Sequence, residues 1–141
     1  MENLAQHVVW FLPMLWLGMV LAISFLEAPL KFRAPGITVP LGLGIGRLVF
    51  RALNTVESVL ALLLLAAFLV LTPSGANWAW LGATIAVLAI QILAIRPPLT
   101  RRSNRVLAGE DLPRSHAHLW YVGLEITKVA TLIGLAIAAA P

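Results

Sequence analysis

The sequence contains no cysteine, which excludes disulfides, thiolate metal sites and cysteine nucleophiles. Charge is almost as scarce: Asp, Glu, Lys and Arg together make up 11% of the 141 residues, against roughly 25% in a soluble domain. A soluble globule could not cover its surface with so few, so a cytosolic enzyme and a disordered tail are both excluded. The formal net charge is +4, but the basic residues fall in two loops, not along a stripe, which argues against a nucleic-acid partner. Only three histidines are present. His116 and His118 are two apart and diverge by about 200° on a helix, and no Glu-x-x-His pair occurs. No metal site is therefore expected, and no catalytic group or cofactor is indicated. One domain accounts for the whole length.

What the sequence has is apolar length, with 60% hydrophobic residues. No charge stands between Glu57 and Arg96. A single helix over Ser58–Ile95 would rise roughly 57 Å, far beyond the ~30 Å hydrocarbon core. The run must turn back, and Thr72-Pro73-Ser74-Gly75-Ala76-Asn77 is rich in breakers. Four spans follow, at about 7–28, 46–71, 77–96 and 117–140. The expected fold is all-α: an integral membrane four-helix bundle forming a single transmembrane domain over 1–141. Period-2 alternation, the mark of barrel strands, is missing. The first span lacks a basic n-region and a small-residue cleavage site, so it is expected to stay as a mature helix.

Orientation follows from the basic residues. Lys31, Arg33, Arg47 and Arg51 lie around the first long loop, and Arg96, Arg101, Arg102, Arg105 and Arg114 around the second. Nine of the ten basic residues thus share one side. The positive-inside bias puts both long loops in the cytoplasm and both termini in the periplasm of a bacterial inner membrane. Trp10, Trp78 and Trp80 are then expected near the outer interface, where indoles prefer to sit. Arg101-Arg102-Ser103-Asn104-Arg105 is placed to meet anionic lipid headgroups or to act only as a topology signal. Gly42, Gly44 and Gly46 are read as a re-entrant or surface-lying turn into the second span, since no strand precedes them and no lysine–serine pair follows.

The two halves resemble one another. Ala28-Pro29-Leu30-Lys31-Phe32-Arg33 parallels Pro97-Pro98-Leu99-Thr100-Arg101-Arg102, and Arg47-Leu48, Leu53-Asn54 and Glu57 parallel His118-Leu119, Leu124-Glu125 and Lys128. Two transmembrane hairpins related by an axis along the membrane normal would give this pattern; so would apolar composition alone.

Ionisable groups at membrane depth are the best functional pointer, because each costs about 2.5 kcal/mol or more unless paired or hydrated. Glu57 and Lys128 each lie about eleven residues into a span entered from the cytoplasm, so an ion pair near the midplane is expected. Arg47, Arg51, Asn54 and Glu57 fall on one face of the second span at helical spacing. His118, Tyr121, Glu125 and Lys128 do so on the fourth. Two polar stripes facing one another would enclose a ligand-binding pocket open to the cytoplasm, with Glu27 and Lys31 at its mouth. Alternatively the same groups pin helix register or meet across an oligomer interface. Gly123 and Gly134 would let helices approach closely in a homo-oligomer.

Two resemblances bear on these residues. Trp16-Leu17-Gly18, Ala28-Pro29 with Phe32, Arg47-Leu48-Val49-Phe50, the proline-marked exit from the third span, His118-Leu119 and Leu124-Glu125 together resemble a family of small four-span bacterial membrane proteins of unknown function. That resemblance implies the fold and the membrane location, and no activity. Separately, Arg47, Asn54 and Glu57 stand at the arginine and Asn-x-x-Glu spacing of the membrane-associated eicosanoid and glutathione metabolism family. That likeness implies a glutathione site between subunits. Ser58-Val59-Leu60 replaces that family's usual proline after the glutamate.

Three functions follow as expectations. The first is an inner-membrane protein whose polar intramembrane pocket binds, or helps to move, a small amphipathic or anionic ligand, with membrane lipid around it. The second is a glutathione- or thiol-transferring membrane enzyme. The third is an accessory subunit of a larger membrane complex.

Overall fold

The computed structural model describes residues 1–110 and 116–141. It is an all-α four-helix bundle. Helix α1 spans Glu2–Lys31, α2 Val39–Leu71, α3 Gly75–Leu107 and α4 His116–Ala139. All four are long and apolar enough to cross a membrane. Large apolar side chains, such as Leu62, Leu69, Leu93, Ile133 and Ile137, face outward around the bundle. At 1.5 Å per residue, α2 and α3 are each about 50 Å long, so both project well beyond a ~30 Å hydrocarbon core.

Helices α1 and α3 share one local device. Each widens into a π-helical segment, Leu21–Glu27 in α1 and Gln91–Ile95 in α3. A proline follows two residues later in each, Pro29 and Pro97. Proline has no N–H to donate and its ring crowds the carbonyl four residues back. A wider turn ahead of it relieves that crowding while keeping the chain helical. The widened segments carry Ser24 and Gln91, and both side chains reach the same carboxylate on α4.

The expected re-entrant turn over Gly42, Gly44 and Gly46 is instead part of α2. Thr38 caps this helix, its hydroxyl accepting from the Leu41 amide at 3.2 Å, and Pro40 sits in the first turn, where proline is tolerated. The glycines serve close approach. A Cβ at Gly42 would collide with the Phe32 ring, and one at Gly46 would lie 2.9 Å from Lys31 Nζ. Tertiary packing of Phe32 and Lys31 across α2 therefore outweighs the low helix propensity of three glycines. At the other end, Thr72 adopts φ 44°, ψ 61° and its amide closes on the Phe68 carbonyl at 2.7 Å. Pro73 then bars further helix, and α3 starts at Gly75.

The basic segment expected as a loop after the third span is also helical, continuing to Leu107. Ser103 and Val106 turn inward while Arg101 and Arg105 stay exposed, so the segment is amphipathic. It ends at Gly109, whose φ of +98° only glycine adopts without strain, and Arg105 pairs with Glu110 at 2.9 Å on the surface.

Helices α1 and α4 form the central pair and pack on each other, with α2 against α1 and α3 against α4. The extended starts and ends of α2 and α3 meet at the end of the bundle away from the termini. The apolar core is concentrated in the opposite half. Trp16, Val20, Leu64, Phe68, Leu132 and Leu135 have no accessible surface there. Trp78 closes edge-on against Phe68, with ring centroids 5.2 Å apart. Trp80 lies over Gly134, where a Cβ would come within 2.6 Å of the indole. Gly134 is thus used inside the chain and not kept for a neighbouring subunit, whereas Gly123 faces open space. Met14 is exposed and Met19 packs against the core.

Candidate functional site

A charge cluster sits where the apolar half of the bundle ends. Lys128, on α4, has no accessible surface, and its ammonium donates to three groups. They are Glu57 Oε2 on α2 at 2.6 Å, Glu125 Oε1 one turn back on α4 at 2.6 Å, and Gln91 Oε1 on α3 at 2.8 Å. An ammonium has three N–H donors, so all are used. Each acceptor is held in turn. Trp16 of α1 donates its indole N–H to Glu57 Oε2 at 2.8 Å. Gln91 Nε2 donates to Glu125 Oε1 at 2.8 Å, and the Ser24 hydroxyl donates to Glu125 Oε2 at 2.5 Å. The network therefore takes at least one side chain from every helix. Its formal charge is negative by one, with two carboxylates on one ammonium. Further along α4, Thr131 lies 2.9 Å from Thr84 of α3, and beyond that pair Leu132, Leu135 and Leu81 close the interior.

On the other side of the cluster a cavity of about 1070 Å³ opens toward the end of the bundle that carries the long loops. Its floor is Asn54, Tyr121 and Glu125, and its walls include Phe25, Phe32, Leu43, Phe50, Leu99 and Val122. Five basic residues line it: Lys31, Arg47, Arg51, Arg96 and Arg102. Lys31 is 4.0 Å from Glu27 and lies over the rings of Phe32 and Phe50, 5.5 and 5.9 Å from their centroids. Phe50 in turn meets Tyr121 edge-on at 5.7 Å. The aromatic rings thus fix both the lysine at the mouth and the tyrosine at the floor.

Two floor groups are notable for what they leave open. Asn54 is 2% exposed and Tyr121 is 9% exposed. They stand side by side, and apart from this mutual contact none of their side-chain polar atoms has a hydrogen-bond partner among the described residues. A buried polar group left unpaired costs about 1–3 kcal/mol, so this pair, engaged only with each other, leaves hydrogen-bonding capacity at the cavity floor. Glu57 Oε1 is unpartnered among the described residues, but Glu57 does not line the cavity.

Of the residues named from sequence, Arg47, Arg51, Asn54, Tyr121 and Glu125 surround this cavity. Glu57 and Lys128 form the expected ion pair beneath it, sealed from it. The side chain of His118 lies outside the described residues. Lys31, expected at the pocket mouth with Glu27, lines the cavity; the structure adds Trp16, Ser24 and Gln91 to the charge cluster, and Arg96 and Arg102 to the cavity wall. Gln91 had a signal in the sequence, as the one amide between Trp78 and Arg96. Trp16 and Ser24 had none, because an indole and a hydroxyl are ordinary in an apolar helix.

No protein-family model, no curated protein and no solved structure matches this chain.

The charge count makes the cluster asymmetric to mutation. Lys128→Met leaves two buried carboxylates facing each other and should cost about 3–5 kcal/mol of stability. Glu57→Gln leaves a balanced Glu125–Lys128 pair and should cost about 1–3 kcal/mol. The double variant should lose less than the sum. Unfolding of the purified variants in detergent measures all three; equal single losses, or strict additivity, would show that the ammonium does not hold the two carboxylates together.

Proposed function

We propose that this chain is a multi-pass inner-membrane protein that binds a small anionic, amphipathic ligand in the cavity between the long-loop ends of its helices. The observation that carries the reading is the cavity lining: among the described residues, five basic side chains, apolar and aromatic walls, and at the floor an amide and a hydroxyl with no partner beyond each other. Cations held in a partly desolvated cleft attract anions far more strongly than the same cations in water. Apolar walls add affinity for a hydrocarbon portion. Glu125, the only acidic residue in the lining among the described residues, has both oxygens engaged, so it offers little to a cationic ligand.

Binding is better supported than permeation. The polar column along α4 runs from Tyr121 through Glu125 and Lys128 to Thr131, then meets the buried Leu132 and Leu135. Movement of a ligand would need that apolar half to open. A glutathione site built on Arg47, Asn54 and Glu57 is less well served, since Glu57 is fully buried and committed to Lys128 and Trp16.

In the proposed orientation the cavity faces the cytoplasm and the termini face the periplasm, in keeping with nine of ten basic residues on the loop side. The natural absence of cysteine makes this testable. In intact cells an impermeant maleimide should label Ser74→Cys, in the turn between α2 and α3, and should reach Ala108→Cys only after permeabilisation. The reverse pattern would invert the topology.

For the ligand, dodecyl phosphate is a suitable probe. Arg51→Glu should weaken its binding to the purified protein at least tenfold, and Arg101→Glu, outside the cavity, should leave it unchanged. Equal loss in both variants, or no binding to the unaltered chain, would refute an anion site in the cavity.

A further inference from the structure

The cavity has a side as well as a mouth. A shallower groove of about 500 Å³ lies on α3, lined by Ile92, Arg96, Pro97, Thr100 and Arg101. Arg96 and Thr100 also line the cavity, so the two hollows share a wall. On α2, Leu48 lines the cavity yet is 72% exposed, which places it at a rim. The neighbouring glycines tell which rim. A Cβ at Gly42 or Gly46 would meet Phe32 or Lys31 of α1, whereas one at Gly44 would lie 3.9 Å from Leu107 of α3. Leu48 is one turn past Gly44 and Arg51 three residues further, so both stand on the α3 side of α2. The seam between α2 and α3 thus carries Leu48 and Arg51 on one edge and Arg96 and Thr100 on the other. It is closed at its ends, by Phe68 against Trp78 and by Leu107 near Gly44. The other seams are tied beside the cavity: α1 to α2 by Phe32 and Lys31, α1 to α4 by Ser24 on Glu125, and α3 to α4 by Gln91 on Glu125.

This seam lies at hydrocarbon depth. The Glu57–Lys128 pair sits near the middle of α2 and α4. Arg51 and Leu48 are six and nine residues nearer the long loops than Glu57, about 9 and 13.5 Å along the helix axis. Both fall within the inner half, ~15 Å, of the hydrocarbon core. An arginine at that depth is costly unless paired or hydrated, and here one stands on each edge of the seam. A phosphate drawn between them would pair both. Leu48, Ile92 and Leu99 offer apolar contact beside them. A tailed ligand entering by the mouth would first have to leave lipid for water, whereas through the seam its chains never leave hydrocarbon. We infer that the ligand is a bilayer phospholipid with an anionic headgroup, which passes sideways between α2 and α3, seats its headgroup at Arg51 and Arg96 and leaves its acyl chains in the bilayer. This rests on the anion-binding reading and names the source of its ligand.

The test uses the full-length protein in phosphatidylcholine nanodiscs and phosphatidic acid with a diazirine on one acyl chain. After illumination, peptide mass spectrometry maps the labelled residues. Labels should concentrate on the two edges of the seam, around Leu48 and over Ile92–Thr100, and unlabelled phosphatidic acid should displace them where added phosphatidylcholine does not. Labels spread evenly around the four helices, or displaced equally by both lipids, would mean annular lipid only and overturn the inference. Leu48→Trp, which fills the seam, should cut the labelling severalfold and leave the binding of soluble glycerol 3-phosphate, which reaches the cavity by its mouth, unchanged. Undiminished labelling would overturn side entry. Thr100→Trp, on the facing edge, tests the same closure if Leu48→Trp fails to fold. Glycerol 3-phosphate carries the same head without chains, and phosphatidic acid should bind about tenfold tighter or more, from its apolar contacts. Equal affinity would overturn the bilayer source and leave the anion site standing. Failure of both probes to bind would remove the anion site as well.

Discussion

One buried ammonium organises this molecule. Lys128 spends its three donors on groups from α2, α3 and its own helix, and the acceptors it holds are tied by Trp16 and Ser24 of α1. In a bilayer the helices gain little from the hydrophobic effect on meeting, because lipid tails are as apolar as their own side chains. Packing and polar contacts must therefore decide which helix faces which. A charge at this depth has no water to retreat to, so the only low-energy arrangement brings all its partners inward at once. That requirement sets the rotation of each helix about its axis. It also explains why α1, with no ionisable group of its own at this level, supplies hydrogen-bond donors instead.

The cluster divides the bundle into two unlike halves. Toward the termini, Trp16, Leu64, Phe68, Leu132 and Leu135 fill the interior completely. Toward the long loops the helices separate around a cavity whose walls carry five of the chain's ten basic residues. The widened turns of α1 and α3 fall at the boundary and deliver Ser24 and Gln91 to Glu125. Glu125 therefore belongs to both halves: its carboxylate is part of the sealed network, yet it forms part of the cavity floor. Occupancy of the cavity and the packing of the bundle thus share one residue, which is the physical basis for expecting a bound ligand to stabilise the fold.

Much of this was legible in the amino-acid sequence. The spans are, because the bilayer imposes a length and forbids unpaired backbone. The Glu57–Lys128 pair is, because two opposite charges at equal depth have no cheaper arrangement. Helical spacing also brought Arg47, Arg51, Asn54, Tyr121 and Glu125 to one region. The rest was hidden for identifiable reasons. Gly42, Gly44 and Gly46 read locally as a turn, yet the helix runs through them, capped by Thr38 and packed closely against Phe32 at Gly42 and Lys31 at Gly46. Pro97 and Pro98 read as the end of a span, but a widened turn ahead of them lets the helix continue to Leu107. Arg96 and Arg102 were read for the side of the membrane they mark. That they also line a cavity depends on how the projecting ends of α2 and α3 lean together, which no periodicity encodes.

The central claim is that a single lysine ammonium touches two carboxylates inside the bundle. The chain has only two lysines, Lys31 and Lys128, so solid-state NMR of lysine-¹⁵Nζ, glutamate-¹³Cδ protein in lipid bilayers can address it directly. The account predicts one lysine nitrogen with strong dipolar coupling to two different glutamate carboxyl carbons, a signal absent from Lys128→Met. A spectrum in which each lysine nitrogen couples to at most one carboxyl carbon would contradict it.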